Sequence, residues 1–187
     1  DPSMRFLLPA LLLVVAGCNP TLPQRVPMPL AEPGARVAIP ARSVEVRAVS
    51  LPSYATQEEI WRETPTGSLV ADPQLLWADE PVRATTLALA GQLAALTRAR
   101  VAAEPWPFES LPQARLEVRF DTMVAGADDR FRVAGAYYSS RLDVERDRSG
   151  AFDIAVPIAP ESGAPGIAAA RAAVLRDLAR LIAEDGF

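Results

Sequence analysis

The amino-acid sequence predicts an α+β fold: one mainly antiparallel, mixed sheet covered by two long helices, in a single domain. Several segments alternate apolar and polar residues between short polar turns, which is typical of neighbouring antiparallel strands. Two longer segments, one opening at Pro81 and one covering 166–185, repeat apolar residues at helical spacing. Half of the 187 residues are hydrophobic and 22% are charged, enough for a substantial core in one domain.

The first part of the domain supplies three predicted strands. Residues 43–49 alternate apolar and polar side chains, and residues 59–63 form a second strand after a break. A tight turn at Gly67 leads into a short third strand, 68–71.

The first predicted helix begins at Pro81, because proline fits the first helical turn, where its missing N–H costs nothing. Asp79 or Glu80 can cap this helix. Arg98 and Arg100 lie at its negative, C-terminal end. Its apolar stripe recurs every three or four residues: Val82, Thr86, Leu89, Leu93 and Leu96.

The second part of the domain is an antiparallel meander closed by the other helix. Gly135 is expected at a bulge, and a turn is expected at 146–150. The stripe of the helix is Ile167, Val174, Leu178 and Leu181, and Gly186 ends it. The predicted order is therefore β-β-β-α-β-β-β-β-α, its last four strands being 100–104, 115–120, 130–144 and 151–158.

Residues 1–17 have the composition of a secretory signal peptide. Arg5 supplies the charge, residues 6–16 are apolar, and this stretch is too short to span a bilayer. The segment Val-Ala-Gly-Cys that ends at Cys18 resembles the lipobox of bacterial lipoproteins, which implies acylation of the thiol, as with palmitate. An ordinary signal peptide with an incidental cysteine is the alternative. Residues 1–3, which precede the first methionine, are left out of the fold prediction.

Residues 18–40 are rich in proline and predict an extended tether between the lipidated cysteine and a domain over 41–187. At about 3.1 Å per residue, such a tether could reach on the order of 60 Å from a bilayer. The alternative is a segment that lies along the domain surface, with Val37 and Ile39 docked.

The composition excludes several function classes. The sequence has no histidine and no lysine, and all 19 of its cations are arginine. Histidine-based catalysis, Schiff-base chemistry and the usual zinc ligation are therefore unavailable. A net charge of −4 argues against nucleic acid as a partner. We expect no enzyme activity, no metal and no cofactor.

Three segments, taken together, are similar to one family. They are Val-Ser-Leu-Pro-Ser-Tyr at 49–54, Trp-Ala-Asp-Glu-Pro at 77–81, and Arg100-Val101 followed by Pro105-Trp106. In this order, after a lipobox, they resemble the ABC-type transport auxiliary lipoproteins (PqiC/YmbA-like). The family often has tryptophan where this chain has Tyr138.

The resemblance implies an outer-membrane lipoprotein that faces the periplasm and is held by lipidated Cys18. It implies an MCE-domain protein as partner, in an ABC transport system that moves lipids between membranes and maintains membrane integrity. Asn19 is not the aspartate that retains lipoproteins in the inner membrane, which favours outer-membrane sorting. A homo-oligomer is left open. A periplasmic lipid-binding carrier is the alternative function, and a carboxylate-dependent envelope hydrolase comes third.

Four large aromatic residues are candidate partner contacts, because such residues dominate interface energetics: Tyr54, Trp61, Trp77 and Trp106. The alternative is that they fill the edge of the core. Four arginines on the predicted strands form either a contact for anions or a solvated strand face: Arg115, Arg119, Arg130 and Arg132.

Overall fold

The computed structural model describes residues 22–187 and has eight strands and two long helices over this range. The predicted signal peptide and Cys18 lie outside the described residues. The first strands are β1 (Gln24–Val26), β2 (Ser43–Val46), β3 (Glu59–Glu63) and β4 (Leu69–Trp77), with a 3₁₀ turn at Ser53–Thr56. The remaining elements are α1 (Pro81–Leu96), β5 (Arg100–Ala103), β6 (Ala114–Ala125), β7 (Arg130–Arg141), β8 (Arg146–Pro157) and α2 (Gly163–Asp185).

The sheet is organised around β6, which has different neighbours on its two sides. On one side β2 and β3 follow each other, both parallel to β6: Val44 lies opposite Ala114, and Arg62 lies opposite Ala125. On the other side β7 and then β8 pair antiparallel along their full lengths. Strand β5 extends the sheet beyond β2, and β4 and β1 extend it beyond β3. The predicted α+β fold with a mixed sheet is confirmed.

The two helices contact each other and bury their apolar stripes against the sheet. In α1 the stripe through Leu89, Leu93 and Leu96 is fully buried. In α2 Ile182 rather than Leu181 completes the buried stripe, next to Leu178. Helix α1 packs on β2 and β5, and α2 packs on β7 and β8.

The N-terminus of α1 is capped by Glu80. Its carboxylate accepts hydrogen bonds from the backbone N–H groups of Val82 (2.9 Å) and Arg83 (2.6 Å), and Pro81 is the first helical residue. We expect Glu80→Ala to lower the free energy of unfolding by about 1 kcal/mol, because it leaves helix N–H groups without this acceptor. Urea denaturation measures the change. Glu80→Asp, which keeps a capping carboxylate, is the control and is expected to lower the free energy of unfolding by less.

Strand β4 is longer than predicted and β1 was not predicted. The pairing of β3 with β4 jumps from Ile60 opposite Asp72 to Glu59 opposite Leu76, so residues 73–75 form an irregularity. Pro73, which has no N–H, lies in this bulge, where no ladder hydrogen bond is required of it. The strand resumes beyond the bulge, and β1 pairs in parallel with Leu75, Leu76 and Trp77.

The turn predicted at 146–150 is wrong. The β7–β8 hairpin turns at residues 142–145, and the partner strand starts at Arg146. Glu145 adopts a positive φ of 48° there, and two polar residues, Asp143 and Glu145, alternate with exposed Leu142 and Val144. Residues 142–145 therefore have the alternating pattern of a strand in the sequence, although they form the hairpin loop.

Residues 22–40 lie along the domain, as in the alternative interpretation, and do not form the predicted free tether. Val26 is buried, and its carbonyl accepts from the N–H of Ala78 just before α1. The N–H of Val37 donates to the carbonyl of Leu96, the last residue of α1 (2.8 Å). Between these points Gln92 and Arg180 hydrogen-bond backbone carbonyls of the segment. The prolines therefore keep the segment extended along α1.

Candidate functional site

Three of the four predicted aromatic contacts meet at one place, between the sheet and α2. Tyr54, Trp61 and Trp77 line a hollow of about 20 Å³, together with Arg171 of α2. The hydroxyl of Tyr54 accepts from the backbone N–H of Met123 (3.1 Å). Because the hollow has room for only one water-sized molecule, it is no pocket for a lipid or substrate. These aromatics line the edge of the core, and their role as partner contacts stays a prediction.

Arg171 is the largest polar side chain in the core and was not predicted as such. Its Nη2 donates to Thr85 Oγ1 (2.6 Å) and to the carbonyl of Pro81 (3.4 Å), and the guanidinium stacks over the Trp77 ring at 4.4 Å. Its Nε–H and the Nε1–H of Trp61 are buried without an acceptor among residues 22–187. Burial lowers the pKa of Arg171 to about 10, although the charge of Glu80 acts in the opposite direction.

An open apolar groove lies on the other side of Trp77. It has a volume of about 340 Å³ and runs between the docked N-terminal segment and α1, with Met28, Leu30 and Leu87 in its walls. The core beneath it is filled by side chains of both helices and the sheet. A groove that is open to solvent does not sequester an acyl chain as the interior of a lipid carrier does.

Trp106 lies apart from the other aromatics, in the loop between β5 and β6. Its indole N–H donates to the carbonyl of Ser110 (2.6 Å), and its ring meets the edge of Phe108 at 4.9 Å. Phe108 in turn lies under the guanidinium of Arg100, 4.7 Å away. Trp106 therefore stabilises the loop between β5 and β6. This loop lies near the C-terminal end of α1, where several arginines are close together.

Four exposed arginines surround two adjoining hollows at that end of the domain. The hollows have volumes of about 380 and 540 Å³ and share Arg42 and Arg98. We call this surface the arginine groove; its arginines are Arg36, Arg42, Arg98 and Arg100. No acidic residue of the described range lines either hollow. The sequence prediction missed this groove because two of its arginines were assigned to the tether and to its junction with the domain.

The four arginines that the sequence placed on strands as a possible contact for anions form salt bridges or hydrogen bonds with neighbouring groups. Arg115 pairs with Glu45 (2.8 Å), Arg119 with Glu117 (2.7 Å) and Arg132 with Asp128, while Arg130 donates to the carbonyl of Ala155. Neutralised pairs on half-exposed strands agree with the solvated strand face. Three of these four arginines are thus neutralised by a carboxylate, whereas none of the four arginines of the groove is.

Over residues 22–187, no group of three or more cysteine, aspartate or glutamate side chains is placed to hold a metal ion. Asp79 and Glu80 are occupied by a salt bridge to Arg83 and by the helix cap. No helix in the same range has the length and apolar character needed to span a membrane.

Comparison with known proteins agrees with this architecture. A solved structure of an uncharacterized protein, 16% identical, superposes with a TM-score of 0.64 over 86% of this chain and 98% of that one. Protein XCC0632 from Xanthomonas campestris, of the DUF330 family, is 14% identical, with a TM-score of 0.58 over 87% and 91% of the two chains. A PelC dodecamer from Paraburkholderia phytofirmans is 13% identical, with a TM-score of 0.44 over 85% and 94%.

At these identities the first two solved structures establish the fold alone. Comparison with curated proteins gives no match. The family model of the ABC-type transport auxiliary lipoprotein component matches residues 21–183, which include the docked segment, the sheet and nearly all of α2. The chain belongs to the family of ABC-type transport auxiliary lipoprotein components.

Proposed function

We propose that the protein is acylated on Cys18, is held at the outer membrane facing the periplasm, and serves an MCE-type lipid transport system as a non-catalytic subunit. The observation that carries the proposal is the family match, which begins at residue 21, three residues after Cys18. An auxiliary component needs a fixed position and a contact surface, and it needs no active site.

The docked N-terminal segment supports a close attachment to the bilayer. Leu22 is four residues after Cys18, and four residues span at most about 14 Å. The predicted 60 Å tether is therefore replaced by a short connection, and the domain is held at the membrane surface by the side on which β1 lies. Two or more acyl chains anchor a protein stably, whereas one binds only marginally.

We expect Cys18→Ala to move the protein from the membrane pellet to the soluble periplasmic fraction in nearly all copies, because the acyl chains are its only proposed membrane attachment. Fractionation followed by immunoblotting measures the shift. Asn19→Asp is the matched control, because it keeps the acylated cysteine and is expected to stay in membranes while moving to the inner one. Retention of the Cys18→Ala protein in the pellet contradicts the anchoring.

The MCE partnership is tested by co-purification. The full, acylated protein is solubilised from native membranes in mild detergent, and its partners are identified by mass spectrometry. Recovery of an MCE-domain protein supports the proposal. Recovery of other envelope complexes without any MCE-domain protein counts against it.

The lipid carrier is the second candidate, and the apolar groove beside Trp77 is the observation that favours it. The filled core and the groove's open side count against it. Lipid extraction from Cys18→Ala protein separates the two functions, because this variant has no covalent acyl chain. About one lipid per protein molecule would favour the carrier.

A further inference from the structure

The arginine groove lies at the end of the domain that is remote from the proposed lipid anchor. The docked segment passes the start of α1 at Val26 and its end at Val37. Helix α1 has 16 residues, so these two points are about 24 Å apart. Strand β1 runs parallel to β4, whose end leads into the start of α1, so Leu22 lies on the side of Val26 that faces away from the groove. The connection of at most about 14 Å between Leu22 and Cys18 then leaves the anchor short of the groove. The headgroups of the anchoring leaflet are therefore a poor match for these arginines.

The groove has a positive charge that the domain does not neutralise. None of its four arginines forms a salt bridge with another part of the chain between residues 22 and 187, whereas nine of the fourteen arginines elsewhere in this range do. The C-terminal end of α1 contributes only about half a negative charge. The four clustered arginines therefore make this surface positive, although the whole chain has a net charge of −4.

Apolar side chains border the charged groups. Leu111 lines the groove and is 78% exposed, and Val37 and Ile39 form part of its floor. Phe108, which is also exposed, holds the guanidinium of Arg100 from below. Arginine and aromatic groups around a partly apolar surface are the composition that protein interfaces favour.

We propose that the arginine groove is the docking surface for an acidic segment of a partner protein. The arginines supply charge complementarity and forked hydrogen bonds to carboxylates, and the apolar border supplies the area that excludes water. Within the proposed function, this segment belongs to the protein that the anchored domain meets at its far end. The inference depends on the proposed function only for the position of the anchor.

Binding of a probe tests the charge recognition. The probe is a fluorescently labelled peptide of 12 glutamates, and the protein is the Cys18→Ala form, which needs no detergent. We expect binding that weakens with salt. The double variant Arg42→Glu/Arg98→Glu is expected to weaken it at least tenfold. The matched control Arg62→Glu/Arg146→Glu, which reverses two exposed arginines outside the groove, is expected to change it less than twofold.

A crosslink in the acylated protein tests the partner class. A photoreactive amino acid replaces Leu111, and the crosslinked species is identified after irradiation of intact cells. A protein crosslinked through an acidic peptide, and lost in Arg42→Glu/Arg98→Glu, supports the proposal. Unchanged membrane fractionation of that variant keeps this result separate from a failure of the anchor.

Three results would overturn the proposal. The first is equal binding of the glutamate peptide by the groove variant and the control. The second is binding to phosphatidylglycerol vesicles without binding to the peptide, which would assign the groove to a lipid surface. The third is a crosslink that forms only to lipid or is unaffected by the charge reversal. Circular dichroism and the urea midpoint of each variant exclude unfolding as the cause.

Discussion

Gly135→Ala is expected to lower the free energy of unfolding by about 3 kcal/mol, because β6 and β7 leave no space for a side chain at this position. A Cβ atom on Gly135 would lie 2.0 Å from the carbonyl oxygen of Arg119. Backbone of the central strand cannot yield as the end of a flexible side chain can. The register of β6 with β7 shifts beside this residue, between Phe120 and Thr122, as the predicted bulge requires.

The glycine also makes room for two aromatic rings. Phe120, Gly135 and Phe152 lie opposite one another on β6, β7 and β8. The two phenylalanines are separated by two strand spacings, roughly 9.6 Å, yet their ring centroids are 5.4 Å apart. The rings therefore lean towards each other across the glycine strand, in an edge-to-face contact that stabilises three strands at once.

Urea denaturation followed by tryptophan fluorescence measures the effect, with Gly91→Ala as the control. Gly91 lies in α1, and a Cβ atom added there would meet nothing within 4 Å beyond its own helix. Alanine at this position is therefore expected to raise the free energy of unfolding by about 0.5–1 kcal/mol. A loss of stability in Gly135→Ala together with a gain in Gly91→Ala would show that the effect at Gly135 comes from steric contact and not from backbone entropy. A Gly135→Ala protein as stable as the parent would contradict the close approach.

The sequence predicted best those elements whose residues alternate or repeat over their full length. Strand β3 has the predicted bounds, and the helix from Pro81 to Leu96 is identified by its cap and its stripe. Strand β1 has three residues and forms only because β4 offers an edge, so no local pattern marks it. The docking of residues 22–40 likewise depends on α1 and α2, which are distant in the sequence.

The candidate surface was less predictable than the fold. The aromatics were recognisable as a class, but their burial around Arg171 depends on how α2 meets the sheet. The arginine groove joins two pairs of arginines that are about sixty residues apart, through the pairing of β2 with β5. Nothing in either local sequence indicates that the two pairs share a surface.

Arg171→Ala is expected to lower the free energy of unfolding by about 3 kcal/mol, for a reason that differs from Gly135→Ala. The alanine leaves a cavity between Trp77 and Thr85 and removes the cation–π contact with the indole. Arg176→Ala is the matched control, just over one turn further along α2. Its side chain is partly exposed and pairs with Asp177, so a loss below about 0.5 kcal/mol is expected.

Arg171→Met decides whether the volume or the charge of Arg171 stabilises the core. Burial lowers the pKa of this guanidinium to about 10, which means that desolvation of the cation opposes folding at neutral pH and is relieved only above that value. Methionine fills the space without this cost, and Thr85 still donates to the carbonyl of Pro81. We therefore expect Arg171→Met to be within about 1 kcal/mol of the parent. A methionine variant as unstable as the alanine variant would show that the core requires the charge itself, which its two neutral acceptors do not explain.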